Sequence, residues 1–334
     1  MRFFEQQEQA RGQTTRLLVL FALTVFGLVL AVNLALALTW RVIAFGGSGY
    51  PAYFFTVNTV MTLVFVLGGW WLETSVLEGG GEKLARRVGA REAWPGSRAS
   101  EQKFCNIVSE LAIAASMKPP CAMVLDRVDS INAFACGWDE DDAVVAVTRG
   151  ALDGLTRDEL QGLVAHEFSH IREGDTRLNM RLAGMVFGLE MIFNLGKRMC
   201  EADDDGHRSV LALPGFAIKV TGSLGWLAGR ALRAAVSRQR EFLADARALQ
   251  FTRSKDGLGG VLRKVASQQA YGAPARPMHP SVQHMLLVNT GAANGWFDTH
   301  PPLAERIRRI YGRSMPALPA GQDDAPATRP DAIF

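Results

Sequence analysis

The chain has 334 residues, enough for one large domain or two ordinary ones. Hydrophobic residues make up 48% and charged residues 21%, with a mean hydropathy of +0.07, high for a soluble protein. A net charge of +3 argues against a nucleic-acid binder, which needs a clustered basic face. The four cysteines form no C-x-x-C pair, which argues against both a cysteine zinc site and a disulfide framework and fits a reducing compartment.

Residues 17–40 form an uncharged apolar run, long enough to span a bilayer core as a helix. A cleaved signal peptide would have a shorter apolar region and a small-residue cleavage site. A second uncharged run, 51–72, follows a short glycine-rich link at 45–50, so the two read as a membrane hairpin. Trp40 and Tyr50 at one end, and Trp70 and Trp71 at the other, suit interfacial aromatic belts. Arg2, Arg11 and Arg16 precede the first span, and Lys83, Arg86, Arg87, Arg91, Arg98 and Lys103 follow the second. The loop between them holds only Arg41, so the expected topology puts residues 1–16 and everything after 72 in the cytoplasm.

A globular composition begins at Gly79, and the expected domain after the hairpin runs over 73–312. Residues 100–117 have helical spacing in Phe104, Ile107, Val108, Leu111 and Ile113, and Pro119 and Pro120 end the run. Residues 121–126 and 143–148 read as strands. Thr156-Arg-Asp-Glu159 is a capping box that opens a helix running to about Arg172 and stopping near Gly174. The apolar stretches within 178–230 carry Arg181, Glu190 and Lys219; a second membrane hairpin and buried domain helices both remain open for them. The tail, 313–334, rich in Ala, Pro and Asp, is expected to be disordered.

His166-Glu-Phe-Ser-His170 is an H-E-x-x-H motif on the capped helix. Four residues make just over one turn, so both imidazoles leave the same face and can share one zinc. Glu167, on the adjacent side, can take a proton from a zinc-bound water. Two surface histidines four apart are the bland alternative; the capping box and the apolar face of Leu160, Leu163, Val164, Phe168 and Ile171 argue against it by burying the helix. The extended motif H-E-x-x-H-x-x-G-x-x-H is excluded, because Glu173 and Thr176 stand where it needs Gly and His. A third ligand must lie further on, and Glu241 is the candidate, with Asp245 one turn later as a carboxylate for a ligand's free ring N–H. A solvated face paired with Arg238, Arg240 and Arg247 is the competing reading; the upstream motif and the Ala-rich helix weigh against it.

In order along the chain stand the hairpin, Asn132-Ala-Phe-Ala-Cys-Gly137, Val147-Thr-Arg-Gly150, Leu155 to Leu160, Ala165 to Ile171, Arg240 to Asp245 and Thr299-His-Pro-Pro302. This ordered set resembles the M48 metallopeptidases, and especially the HtpX-like membrane-bound proteases. The resemblance implies a mainly α, α+β fold with a small sheet, of the gluzincin type, behind a transmembrane hairpin. It implies Glu241 as third ligand, Asp245 as partner of a zinc histidine, His166, and one Zn2+ per chain. It further implies that 143–148, with Val145 and Val147, is the edge strand to which an extended substrate adds. Asn132 and Ala135 would lie by the cleft, and His300 would stabilise the developing oxyanion, though a helix-capping role for His300 stays open. The implied partners are protein or peptide substrates and the bilayer, with no nucleic acid. The implied location is an integral membrane protein, at the inner membrane if bacterial, with a cytoplasmic catalytic domain. The implied activity is a zinc endopeptidase in protein quality control. A dedicated processing peptidase for a specific or lipidated substrate, and a non-catalytic scaffold, are the alternatives. The intact Glu167 argues against the scaffold. His207, His279 and His284 receive no role.

Overall fold

The computed structural model describes residues 2–44, 49–96, 98–201, 212–272, 282, 285–288 and 300–319. His207, His279 and His284 lie outside the described residues, as do 320–334 of the expected disordered tail. The described chain is mainly helical, with one four-stranded mixed sheet. It divides into two units, Met1–Glu78 with Met180–Ala235, and Gly79–Asn179 with Val236–Phe334.

The first unit holds α1 (Arg2–Ile43), α2 (Phe54–Leu77), most of α7 (Asp175–Cys200) and the first part of α8 (Ala212–Thr252). Within α1 and α2, Arg16–Ile43 and Phe54–Leu77 are long and apolar enough to cross a membrane. The second span starts later than its uncharged run, because Tyr53 sits in the left-handed region (φ 60°) and cannot continue a helix backwards. It also runs five residues past Leu72, through a buried Glu73. Asn33 Nδ2 donates to Thr59 Oγ1 (3.0 Å), a polar tie between two otherwise apolar helices. The helix pair α7 and α8 packs in this unit by close backbone approach. A Cβ on Gly188 would stand 2.4 Å from the Val66 carbonyl oxygen, and one on Gly222 would stand 2.5 Å from Phe193 N. Only glycine fits there, as at membrane-helix seams.

The second unit is built on the sheet of β1 (Arg91–Glu92), β2 (Cys121–Leu125), β3 (Ala133–Cys136) and β4 (Val144–Thr148), in the order β1-β2-β4-β3. β2 and β4 are parallel, and β3 pairs antiparallel with β4. β4 is therefore interior, paired on both sides, and Val145 and Val147 are fully buried. This corrects the expectation of an edge strand at 143–148: the edge next to the helices is β3, a segment expected only to lie by the cleft.

α3 (Gly80–Arg87) opens this unit. α4 (Ala99–Ala115) contributes Phe104, Ile107, Val108 and Leu111 to the core, whereas Ile113 is 80% exposed, two residues out of phase with Leu111. α5 (Arg149–Gly154) leads into α6 (Arg157–Arg172), whose capping box between Thr156 and Glu159 is formed. Glu159 also accepts from buried Lys264 Nζ at 2.7 Å on α9 (Lys255–Tyr271). Leu160, Leu163, Val164 and Phe168 are fully buried, and Gly174, at φ 72°, stops the helix where its φ demands a glycine. α10 (Leu303–Tyr311) closes the unit. The segment after it is ordered at least to Leu318, whose N–H donates to the Arg263 carbonyl (3.2 Å), so the expected disorder does not begin at 313.

Candidate metal centre

α6 positions His166, Glu167 and His170 at its buried end, and the last turns of α8 bring Glu241 and Asp245 to face them. The two imidazoles stand edge to face with centroids 4.8 Å apart, and their Nε2 atoms converge to 3.2 Å. Glu241 Oε2 lies 3.6 Å from His166 Nε2, and Oε1 lies 3.6 Å from His170 Nε2. His166, His170 and Glu241 together are the one group among the described residues that could hold a metal ion. Tetrahedral ligands about 2.0 to 2.1 Å from one zinc stand about 3.3 to 3.4 Å apart, which the two imidazole nitrogens match, and one donor atom from each of the three residues lies within 4.8 Å of the others.

Both carboxylate oxygens of Glu167 are buried without a protein hydrogen-bond partner. Burial pushes this carboxyl up to about 8, and a cation held by the neighbouring donors would bring it down toward the carboxylate form that a base needs. An orphaned carboxylate beside a convergent donor set is what a reactive water would satisfy. Burial also lowers the His166 imidazole below its usual range, favouring the neutral form that ligates metal. Burial would raise Glu241 and Asp245, but His300 and Arg306 on Glu241, and Arg306 and His166 on Asp245, hold both below the usual carboxylate range.

The far nitrogen of each histidine meets an aspartate. His166 Nδ1 is 3.1 Å from Asp245 Oδ1, and His170 Nδ1 is 2.9 Å from Asp175 Oδ2. Each aspartate in turn meets an arginine. Asp245 accepts a two-pronged fork from Arg306 (2.8 and 2.6 Å), and Asp175 pairs with Arg240. Asp175 and Arg306 escape the sequence reading. The available signals were slight: Asp175 directly follows the helix-stopping Gly174, and Arg306 falls three residues after Leu303 and four before Ile310, on the apolar face of α10.

His300 is 8% exposed, with Nδ1 3.4 Å from Glu241 Oε2. The N-cap of α10 is Pro302, so His300 faces the metal centre and does not cap the helix. Ala135 lines the cleft with His170, Asp175, Asn179, Arg240, Glu241 and Met285. Asn132 is buried and committed elsewhere: its Nδ2 donates to the Val288 carbonyl (2.9 Å) and its Oδ1 accepts from Ala133 N (3.0 Å). It ties residues 285–288 to β3, where Leu287 N donates to the Ala133 carbonyl (2.9 Å) and Leu286 bridges Phe134. Its side chain is thereby used up by backbone groups, against the expectation of a cleft contact. Val145 and Val147, interior on β4, do not reach the cleft edge either.

Residues 98–314 match the family model of peptidase family M48. The curated relatives include a protease HtpX homolog of Syntrophobacter fumaroxidans, 30% identical over 289 residues, covering 84% of this chain and 96% of that protein. One of Dictyoglomus turgidum is 38% identical over 212 residues, covering 61% of this chain and 67% of that protein. One of Streptococcus gordonii is 29% identical over 323 residues, covering 92% and 98%. Among solved structures, Ste24p of S. mikatae aligns with a TM-score of 0.42 at 14% identity, covering 83% of this chain and 61% of that one. The family match spans the whole metal centre and its supporting aspartates and arginines, and the chain belongs to peptidase family M48, among its HtpX-like membrane proteases.

Proposed function

We propose that the chain is a zinc-dependent endopeptidase that cleaves protein substrates at the cytoplasmic face of a membrane, in protein quality control. His166, His170 and Glu241 would hold one zinc. The observation that carries this reading is the convergence of two imidazole nitrogens at 3.2 Å with Glu241 3.6 Å from each, beside the unpartnered Glu167. When bound, zinc supplies Lewis-acid polarisation of the scissile carbonyl and acidifies the attacking water.

Glu167 takes the proton from that water and later delivers it to the leaving amine. Asp175 accepts the Nδ1–H of His170, and the Asp245 carboxylate, 3.1 Å from His166 Nδ1, favours a proton on that nitrogen, which leaves both Nε2 atoms bare and aimed inward. His300, held against Glu241, is placed to donate to the developing oxyanion. An extended substrate passes Ala135, the cleft-lining residue of β3, beyond the part of the strand that pairs with Leu286 and Leu287.

The hairpin of α1 and α2 anchors the chain, with Arg2, Arg11 and Arg16 and the Lys/Arg cluster from Lys83 onward on the cytoplasmic side. On α8, Leu213, Phe216, Val220, Leu224 and Leu227 form an exposed apolar stripe at helical spacing, which supports a lipid-facing role for that helix as well. Full-length protein in detergent tests the reading. We expect about one zinc per chain and casein cleavage, and Glu167→Gln retaining the zinc while losing at least about 100-fold in turnover. Near-normal turnover by a metal-replete Glu167→Gln protein would remove Glu167 as the base.

A further inference from the structure

Arg306 has the largest fully buried side chain among the described residues. It sits in the first turn and a half of α10, a helix whose next two arginines, Arg308 and Arg309, are exposed and paired with Glu305. Burying a guanidinium costs heavily unless its donors are met, so its partners report what it is for. Nε and Nη2 reach both oxygens of Asp245 (2.8 and 2.6 Å). Nη1 lies 3.2 Å from Glu241 Oε2 and donates to the Leu287 carbonyl at 3.0 Å. One planar cation therefore touches the candidate third ligand, the carboxylate behind His166, and the segment tied to β3.

The geometry has a direct consequence for the imidazole. A fork on both carboxylate oxygens fixes the plane of Asp245 as well as its position. Asp245 Oδ1 then stands 3.1 Å from His166 Nδ1, off the line of a hydrogen bond, so its charge favours the proton on Nδ1 and leaves Nε2 facing His170 and Glu241. Helix α10 is itself held on α8 by Arg309 stacked over Phe242 (3.6 Å to the ring centroid), so the guanidinium is presented from a docked element.

We propose that Arg306 is the positioning residue of the metal centre, orienting His166 through Asp245 and steadying Glu241 directly, so that the donor set is formed before metal arrives. This rests on the zinc reading above. A lysine would supply the charge but not the two-pronged fork.

The test uses full-length protein in detergent, with zinc affinity read against a chromophoric chelator, the visible absorption of the Co2+-substituted protein, and the melting temperature of the metal-free form. Wild type is expected to bind one ion. Arg306→Lys and Arg306→Gln are expected to lose about 10- to 100-fold in zinc affinity and to change the Co2+ spectrum, while Arg308→Gln matches wild type in every readout. Combining Asp245→Asn with Arg306→Gln is expected to weaken zinc by clearly less than the two single losses together, because the route through Asp245 to His166 is shared while the contact with Glu241 belongs to Arg306 alone. Unchanged affinity and spectrum in a folded Arg306→Lys protein would overturn the proposal and leave the metal centre standing, even if Arg306→Gln failed to fold. Additive losses in the double variant would overturn the route through Asp245. A wild-type protein that binds no zinc would instead bring down the zinc reading, and this inference with it.

Discussion

Asp175→Asn isolates the second histidine, because the substitution keeps the size of the side chain and changes only what it can accept. In the wild type, Asp175 Oδ2 accepts from His170 Nδ1 at 2.9 Å, and its other oxygen is taken by Arg240. An asparagine cannot satisfy both neighbours. If its carbonyl oxygen faces His170, its NH2 faces the Arg240 guanidinium, donor against donor. If it flips, its NH2 faces His170 Nδ1 and selects the tautomer with hydrogen on Nε2, the nitrogen that must be bare to bind metal. Asp175 is 5% exposed, so water cannot readily bridge either mismatch. Changes behind a ligating histidine cost about 10- to 100-fold in metal affinity, or about 1.4 to 2.7 kcal/mol, and the double bind at Asp175 puts the expected loss near the upper end. The assay is zinc competition against a chromophoric chelator on detergent-purified protein, with folding checked by thermal melting. Wild-type affinity in a folded Asp175→Asn protein would refute the claim that this carboxylate sets the His170 tautomer.

Two other predictions test the frame around the site. Glu101, buried on α4, receives Arg91 (2.9 and 2.8 Å) and Arg149 (3.0 Å), and the Arg91 guanidinium foremost holds its carboxyl down to about 2. Its folded pKa is depressed, so the stabilisation is fully present above the ordinary Glu value near 4.3 and fades as pH falls from there toward 2, about 2 to 3 kcal/mol in all. The gap in melting temperature between wild type and Glu101→Gln should therefore be wide at pH 7 and narrow by pH 3; a gap independent of pH would contradict it. For topology, a reporter fused after Arg98 should be cytoplasmic and one inserted at Ser48 external, and the reverse pattern would refute the charge-bias orientation.

What was legible in the sequence was what is local. α6 announces itself through a capping box, an apolar period and a stopping glycine, all within about five turns, and it is present from Arg157 to Arg172 as read. The sheet order is not local, and there the reading erred. Residues 144–148 are the most β-branched run of the domain, and that composition marks a strand covered on both faces and paired on both sides, whereas the edge fell to the short Ala133–Cys136. The four residues A-F-A-C carry too little periodicity to be distinguished from a loop.

The site divides along the same line. His166, Glu167 and His170 share one turn, and Glu241 and Asp245 share another, so helical spacing alone could pair each set. Nothing in spacing could pair Arg306 with Asp245, 61 residues away, or oppose Asp175 to Arg240 across 65. Arg306 is hidden further by its company, since Leu-Ala-Glu-Arg-Ile-Arg-Arg-Ile-Tyr reads as a solvated face with three equivalent arginines. Only helical phase separates them. Arg306 lies with Leu303 and Ile310 on the face that docks, while Arg308 and Arg309 turn outward to Glu305. A charged residue in phase with the apolar stripe of a short docked helix is costly to bury, and this one meets the two carboxylates of the metal centre.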